Sequence, residues 1–371
     1  MKNNWQTKKL EEVCAIVKDK PQKFSGTKAY YATGSIDNSS GFSMPEFVEY
    51  GNRPSRADSY PKAHDIGFAK MKLTNKVFEV NDDLAGSIFS TGFCFLRPGN
   101  LLNSKYLFYF VISDEFQKLK DFYAGSGIMG GIKNSDVLNI EISLPPLAEQ
   151  KRIVKFLDEV FEKTSRAQEN TEKNLQNSKE LFESYLQNIF TSPKENWDVQ
   201  KIEDCFKLKS GDGLTSKMMD ENGTYLVFGG NGIAGSYNKF NLSGSNVIIG
   251  RVGALCGNVR HITEKIWLTD NAFKVVNFKH EFDHSFLIYL LNYKNLRSFA
   301  RQAAQPVISN SSLKDVLLQF PKSVIEQKVI VKKLDKLAEE TEKLANNYSR
   351  RLDDLGEFKK SILKMAFTQA L

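Results

Sequence analysis

Several things are scarce in this chain, and each scarcity closes off a class of protein. Only four of the 371 residues are cysteine (Cys14, Cys94, Cys205 and Cys256), and no two form a C-x-x-C pair. That excludes a disulfide framework and a zinc ribbon and leaves ordinary reduced thiols. The opening residues MKNNWQTKKLEEV hold no apolar signal core, and no apolar run approaches the ~18 residues needed to span a bilayer. The expected setting is cytoplasmic, without membrane contact. A large charge of one sign is missing as well: 51 basic and 44 acidic side chains leave +7. Such a mild excess permits nucleic-acid binding without demanding it.

Catalytic signatures are equally sparse. There is no G-x-x-x-x-G-K-[ST] phosphate loop, no G-x-S-x-G elbow, no paired-carboxylate constellation and no N/D-P-P-Y/F string of amino-methyltransferases. Two strings imitate sites. His280-Glu281-Phe282-Asp283-His284 fits H-E-x-x-H, but no histidine follows as a third ligand, and His280 ends a strand-like run where a helix is only starting. A solvated strand-to-helix corner is the better reading. Gly125 to Gly130 (GSGIMG) fits G-x-G-x-x-G, yet a helical stretch precedes it, whereas a dinucleotide site needs a strand before and a helix after. It reads as a flexible or close-approach loop. No cofactor or metal site is expected in this chain.

Proline and glycine drop out of two long stretches, and there the organising feature appears. No proline lies between Pro146 and Pro193 or after Pro321, and only Gly356 interrupts the second stretch. Leu144–Thr191 and Phe320–Thr368 are copies of each other. Glu149-Gln150-Lys151 falls on Glu326-Gln327-Lys328, Leu157-Asp158 on Leu334-Asp335, and Phe190-Thr191 on Phe367-Thr368. Apolar or small residues recur at three- and four-residue steps, as in Leu157, Val160, Thr164, Ala167, Thr171 and Leu175. That is coiled-coil spacing with a weak, polar middle. Each copy is a helix of about 40 residues, roughly 60 Å at ~1.5 Å per residue. Alone it would leave its stripe exposed, so the two copies are expected to pack on each other. A plain dimerisation coiled coil is the competing reading; the large non-helical segment before each helix counts against it.

Length alone allows two to four domains. The order is globular–helix–globular–helix, with boundaries at 1–145, 146–192, 193–320 and 321–371. Both globular heads open on a tryptophan (Trp5, Trp197) and mix strand-like runs with one helix, SKYLFYFVISDEFQKLKDFY in the first and SFLIYLLNYKNLRSFARQ in the second. A strand and a proline then lead into the long helix. The fold class is α+β: two mixed α/β heads, each followed by a long helix. The helices match far better than the heads, which implies one scaffold carrying two differently specialised heads.

Polar, basic and aromatic clusters on the heads are the candidate contacts. The first head offers Tyr30, Tyr31, Arg53, Arg56, Lys70 and Lys72. The second offers Lys207, Lys209, Asn231, Arg251, Asn258 and Arg260. Arginine and lysine reach guanine edges or phosphate, and asparagine can pair with adenine. Glycines flanking Arg251 would let the backbone approach a sugar-phosphate chain. For any one residue, a solvated side chain remains the alternative.

The openings LPPLAEQKRIV and FPKSVIEQKVIV resemble the conserved regions of type I restriction–modification specificity (S) subunits. NVIIGRVGALCGNV with IWLTDNAFKVV is similar to one target-recognition pattern of that family, and RPSRA, DIGFAKM and STGFCFLRPG to another. The resemblance covers essentially the whole chain; FPKSVIEQ departs from P-P-L-x-E-Q. It implies two target recognition domains, each reading half of a bipartite, asymmetric double-stranded DNA sequence. It also implies an antiparallel helix pair with pseudo-twofold symmetry that acts as a ruler. Glu149, Gln150, Leu157, Glu326, Gln327 and Leu334 would form the helix scaffold and subunit-docking positions. Two modification subunits carrying S-adenosylmethionine would methylate adenine N6, and restriction subunits using ATP and Mg2+ can join them. This chain itself would catalyse nothing. A stand-alone two-headed DNA-binding regulator and a structural coiled-coil adaptor are the competing classes.

Overall fold

The computed structural model describes residues 5–37, 41–125, 130–192, 195–301 and 305–368. The chain falls into two compact units, residues 1–172 with 350–371 and residues 173–349. The long helices are therefore not bodies of their own. Each unit combines one head with the start of one long helix and the end of the other.

In the first unit the opening strand Gln6–Lys9 pairs antiparallel with Glu141–Leu144, the strand that leads into the first long helix. One sheet runs in the order Cys14–Ile16, Phe93–Pro98, Ile66–Ala69, Val77–Glu79, antiparallel throughout. A second runs Glu46–Glu49, Thr27–Tyr31, Ile88–Ser90, Ala57–Ser59, with a parallel pair at its centre. The helical stretch before the glycine-rich loop is two helices, Ser104–Ile112 and Asp114–Tyr123. Ser113 divides them: its Oγ accepts from the Phe116 N–H, and Asp114 and Glu115 follow in the first turn, where acidic groups suit the helix dipole.

The second unit repeats the plan. Trp197–Lys201 pairs antiparallel with Leu317–Pro321. A four-stranded antiparallel sheet runs Lys207–Ser210, Ala272–Val276, Asn246–Gly250, Val259–Ile262. A three-stranded one runs Gly232–Tyr237, Tyr225–Gly229, Ile266–Leu268. The head helix is His284–Tyr293, capped by Asp283, and it stops short of the expected length. Asn295 takes a left-handed φ of 46°, and only a short turn, Leu296–Phe299, follows.

The long helices span Leu147–Thr191 and Val324–Phe367. In the first unit Ile153, Val154 and Leu157 share a core with Ile362, Leu363, Ala366 and Phe367. One turn or more along, Lys359 Nζ donates to Gln168 Oε1 at 2.6 Å and to Ser165 Oγ at 3.2 Å, so the two segments run antiparallel. Phe367 also packs on the Tyr106 and Phe110 rings of the head. In the second unit Leu186 and Phe190 share a core with Leu334. The polar seam residues Thr164, Thr171, Ser178 and Thr341 are buried. Each hydroxyl donates to a carbonyl one turn back in its own helix, at 2.7–2.8 Å, so their burial leaves no orphaned donor.

Candidate nucleic-acid interface

The repeated glutamine and the Leu-Asp pair fix each head to its helix. Gln150 is fully buried: its Oε1 accepts from the Asn103 N–H (2.8 Å), and its Nε2 donates to the Leu101 (2.9 Å) and Pro145 (2.8 Å) carbonyls. Gln327 does the same in the second unit with the Asp283 N–H (2.8 Å) and the Glu281 (3.2 Å) and Pro321 (2.9 Å) carbonyls. Asn103 and Asp283 are the N-caps of the two head helices. Below them Tyr109 donates to Asp158 Oδ1 and Tyr289 to Asp335 Oδ1, both at 2.7 Å. Burial and then these carboxylates push both phenols above their ordinary range. With Leu157 and Leu334 also fully buried, four of the six scaffold positions are internal. A docking role for them is corrected: a partner cannot touch them. Glu149 lies at the surface, bound to Arg152, which holds its carboxyl below the usual range, and Glu326 accepts from Asn196 Nδ2 at 3.4 Å.

Above this frame the two heads build the same loop from different residues. In the first, Lys70 follows the strand Ile66–Ala69. Its N–H donates to the Gly92 carbonyl and its own carbonyl accepts from the Ile132 N–H, both at 3.0 Å. In the second, Arg251 follows Asn246–Gly250, donates to the Asn271 carbonyl (2.9 Å) and accepts from the Ile308 N–H (2.8 Å). Met71 bridges Gly131 as Val252 bridges Val307. The Lys72 N–H donates to the Gly130 carbonyl as the Gly253 N–H does to that of Pro306. Lys70 and Arg251 thus occupy equivalent places. A cation from beyond each head helix then secures the loop: Lys120 Nζ donates to the Thr74 carbonyl, and Arg297 Nη1 to the Ala254 carbonyl, both at 2.5 Å. Lys120 is fully buried, which lowers its pKa against the opposing pull of Asp121.

Lys70, Arg56, Lys76, Thr33 and Met71 line one cleft of about 460 Å³. Arg56 is exposed, and Lys76 Nζ donates to the Thr33 carbonyl. In the second head the Arg251 guanidinium lies 5.4 Å from the Phe273 ring centre; Nη1 reaches the Asp270 carbonyl at 3.3 Å, and Nε is buried and unpaired. Lys209 is exposed on a strand directly opposite Lys274, two like charges side by side. Asn258 is exposed at the end of the Arg251 loop.

Other expected contacts are already committed. Tyr30 is 5% exposed, packed with Val48, Ala57 and Ile88, and is removed from the candidate surface. Tyr31 stacks on Phe89 at 5.3 Å. Arg53 spends its donors on the Ala57 and Tyr50 carbonyls and on Asp58, with its guanidinium over the Tyr50 ring, so it shapes its own loop. Lys72 Nζ is held by the Gly125 carbonyl at 2.9 Å. Asn231 Oδ1 accepts from the Leu255 N–H, and Arg260 lies against Gly232. The glycines around Arg251 serve the protein itself: a β-carbon at Gly250 would come within 2.3 Å of the Gly230 carbonyl oxygen, and one at Gly253 within 2.5 Å of the Asn231 side chain. Room for a sugar-phosphate chain is not what they provide.

The imitation sites resolve differently. His284 begins the head helix and His280 precedes it, its ring against Phe320, so they are not one turn apart on a helix. Residues 126–129 of the G-x-G-x-x-G string lie outside the described residues. Burial pushes the thiols of Cys14, Cys94 and Cys205 up to about 12, far from a nucleophile's range. Among the described residues no group of three or more metal-ligating side chains converges, and no helix is long and apolar enough to cross a membrane.

The pattern of the type I restriction modification DNA specificity domain matches residues 2–177 and again 194–359. The chain belongs to that family. Its two copies of the domain coincide with the two heads and most of each long helix. The specificity subunit of the type I restriction enzyme EcoprrI of Escherichia coli is 26% identical over 196 residues, 51% of this chain and 48% of that protein. The chain thus spans about half the length of that relative. The MjaVIII specificity subunit of Methanocaldococcus jannaschii is 24% identical over 80% of this chain and 81% of that one. Among solved structures, a chain from a study of complex assembly and conformational transition in a type I R-M system gives a TM-score of 0.84 at 22% identity, covering 100% and 99% of the two chains. The HsdS subunit of Thermoanaerobacter tengcongensis gives 0.66 at 23%, covering 99% and 97%. These likenesses establish the specificity-subunit fold: two mixed α/β heads with two long helices.

Proposed function

We propose that the chain is the DNA-reading, non-catalytic subunit of a type I restriction–modification enzyme, recognising a bipartite, asymmetric target with one half-site per head. The observation that carries this is the pair of equivalent loops: the same backbone frame in both heads presents a cation, Lys70 in one and Arg251 in the other. Phosphate contacts would supply affinity, while a few base-edge contacts would set sequence. Lys209 beside Lys274 supports an anionic partner, since neighbouring like charges are relieved by a phosphate. Two modification subunits would use S-adenosylmethionine to methylate adenine N6 on an extruded base, and restriction subunits with ATP and Mg2+ can join them. The long helices would set the spacer between half-sites, because each head is fixed to them by a buried glutamine and a tyrosine–aspartate bond.

The test is co-expression with a candidate adenine-methyltransferase subunit, followed by single-molecule sequencing of the host DNA for N6-methyladenine. A bipartite methylated motif that appears only when this chain is present is the expected result. A chain that binds its own site tightly without partners, and adds no methylation, would instead be a two-headed regulator.

A further inference from the structure

Leu73 is an apolar side chain in a place that protein folding does not explain. It is 84% exposed, beside the half-exposed Met71, at the tip of the loop that begins with Lys70. Its φ is 57°, a left-handed backbone that a branched aliphatic residue adopts only under constraint. The constraints are visible. Asp121 Oδ1 accepts from the Leu73 N–H at 3.0 Å, the buried Lys120 holds the next carbonyl, and the Lys72 ammonium is tied to the Gly125 carbonyl. The loop is thus pinned on both sides of Leu73 so that its side chain projects into solvent. In the equivalent loop of the second head, counted from Arg251, the corresponding residue is Ala254, and the next, Leu255, is 43% exposed with its N–H held by Asn231 Oδ1.

Apolar side chains on rigid, basic surfaces are used by DNA-binding proteins to part neighbouring base pairs and kink the duplex. Resting on the reading of the heads as DNA-binding, we infer that Leu73 is a wedge. It presses against or between the bases of the first half-site, while Lys70 and Arg56 hold the adjoining strand. A duplex, rather than a protein, is the occupant favoured by the surrounding charge: Lys70, Lys72, Lys76 and Arg56 all lie within this loop or its cleft. Leu255 of the second head is about half as exposed as Leu73, so the stronger deformation is expected in the first half-site.

The experiment uses the full chain assembled with its modification subunits and a duplex carrying the motif found by methylation mapping. 2-Aminopurine is placed in turn at positions of each half-site other than the methylated adenine. Wild-type complex should raise fluorescence in the first half-site, reporting unstacking. Leu73→Asn keeps the left-handed backbone but removes the apolar surface, and should abolish that rise and weaken binding on the order of tenfold. Leu73→Met should retain both. Because Leu73 is exposed, neither change empties a core. A rise that survives Leu73→Asn overturns the wedge, as does loss of modification-subunit assembly with unstacking intact, which would make Leu73 a protein contact. Absence of salt-dependent DNA binding by the wild type would overturn the DNA reading itself.

Discussion

Replacing Gln150 by leucine tests whether the repeated glutamine is an internal clamp. Leucine is close in volume, so packing is nearly kept and the loss is confined to hydrogen bonds. Three disappear: the Asn103 N–H loses its acceptor, and the Leu101 and Pro145 carbonyls lose a donor. At about 0.5–1.5 kcal/mol net each, the bonds sum to roughly 1.5–4.5 kcal/mol. The Pro145 bond is buried and the other two partly so. Water can therefore repair some of the damage at Leu101 and Asn103 but not at Pro145, which places the expected loss near 3 kcal/mol. Gln327→Leu should cost a similar amount in the other unit, through the Asp283 N–H and the Glu281 and Pro321 carbonyls. Urea unfolding followed by tryptophan fluorescence reads both units, because Trp5 packs on the first core and Trp197 on the second. Exposed Lys151→Ala serves as the silent control. A loss below about 0.5 kcal/mol in both variants, combined with failed assembly with modification subunits, would refute the clamp and restore a docking role.

Lys70→Ala and, separately, Arg251→Ala should each weaken DNA binding by about 1–3 kcal/mol, with specificity relaxed in one half-site only. A uniform loss on all DNA with a shallower salt slope would make the residue a phosphate contact. Lys120→Met should leave stability unchanged or raised, since a buried ammonium is costly, yet weaken head-one binding because the Thr74 carbonyl is released; equilibrium unfolding and titration of the same preparation check both. Burial first, then His261, lowers the His284 pKa, with Asp283 opposing. The unfolded chain protonates there below about pH 6.5 while the folded one resists, so stability should fall as pH drops through that value. The fall should be smaller in His284→Gln, read as the urea midpoint at about pH 7.5 and 5.5. Four residues inserted within 164–178 should change the preferred spacer in the methylated motif; unchanged spacing would refute the ruler.

The helices were the most legible part of this chain because their signal is redundant: a repeat in register, spaced apolar positions and missing proline all point the same way. The break at Ser113 was also written in the sequence, as a serine followed by two acids, but a continuous apolar pattern outweighs a cap when a stretch is read by periodicity alone. The Tyr109–Asp158 and Tyr289–Asp335 bonds were half legible. The two aspartates align in the repeat, and the tyrosines sit alike in YLFYF and FLIYL, but their contact is long-range. Lys120 gave a clue as well, a lysine one turn after the buried Phe116 on the same helix face. Tyr30 and Tyr31 misled because a strand normally has an outer face. Here Tyr30 meets one core, while Tyr31 packs against another, beside Phe89 and Phe42. The glycines near Arg251 misled for a similar reason, since composition cannot say whose backbone makes the close approach.

The two heads reach one loop geometry by unlike means, and that difference bears on how specificity can change. In the first head the loop is held by side chains: buried Lys120, Asp121 on the Leu73 N–H, and Lys72 on Gly125. In the second it is held chiefly by backbone packed on backbone at Gly230, Gly250 and Gly257, where a β-carbon would clash, with the Asn231 and Arg297 side chains closing it. A substitution among the first set removes a tether but leaves room; one among the second forces the backbone apart. The first loop should therefore accept new residues more readily than the second. The frame beneath, Gln150 with Tyr109–Asp158 and Gln327 with Tyr289–Asp335, is the same in both heads, and these hydrogen bonds involve no residue of either loop. On the proposed reading of these loops as the DNA contacts, substitutions at Lys70–Lys76 or Arg251–Asn258 should change the target without disturbing how either head is fixed to its helices.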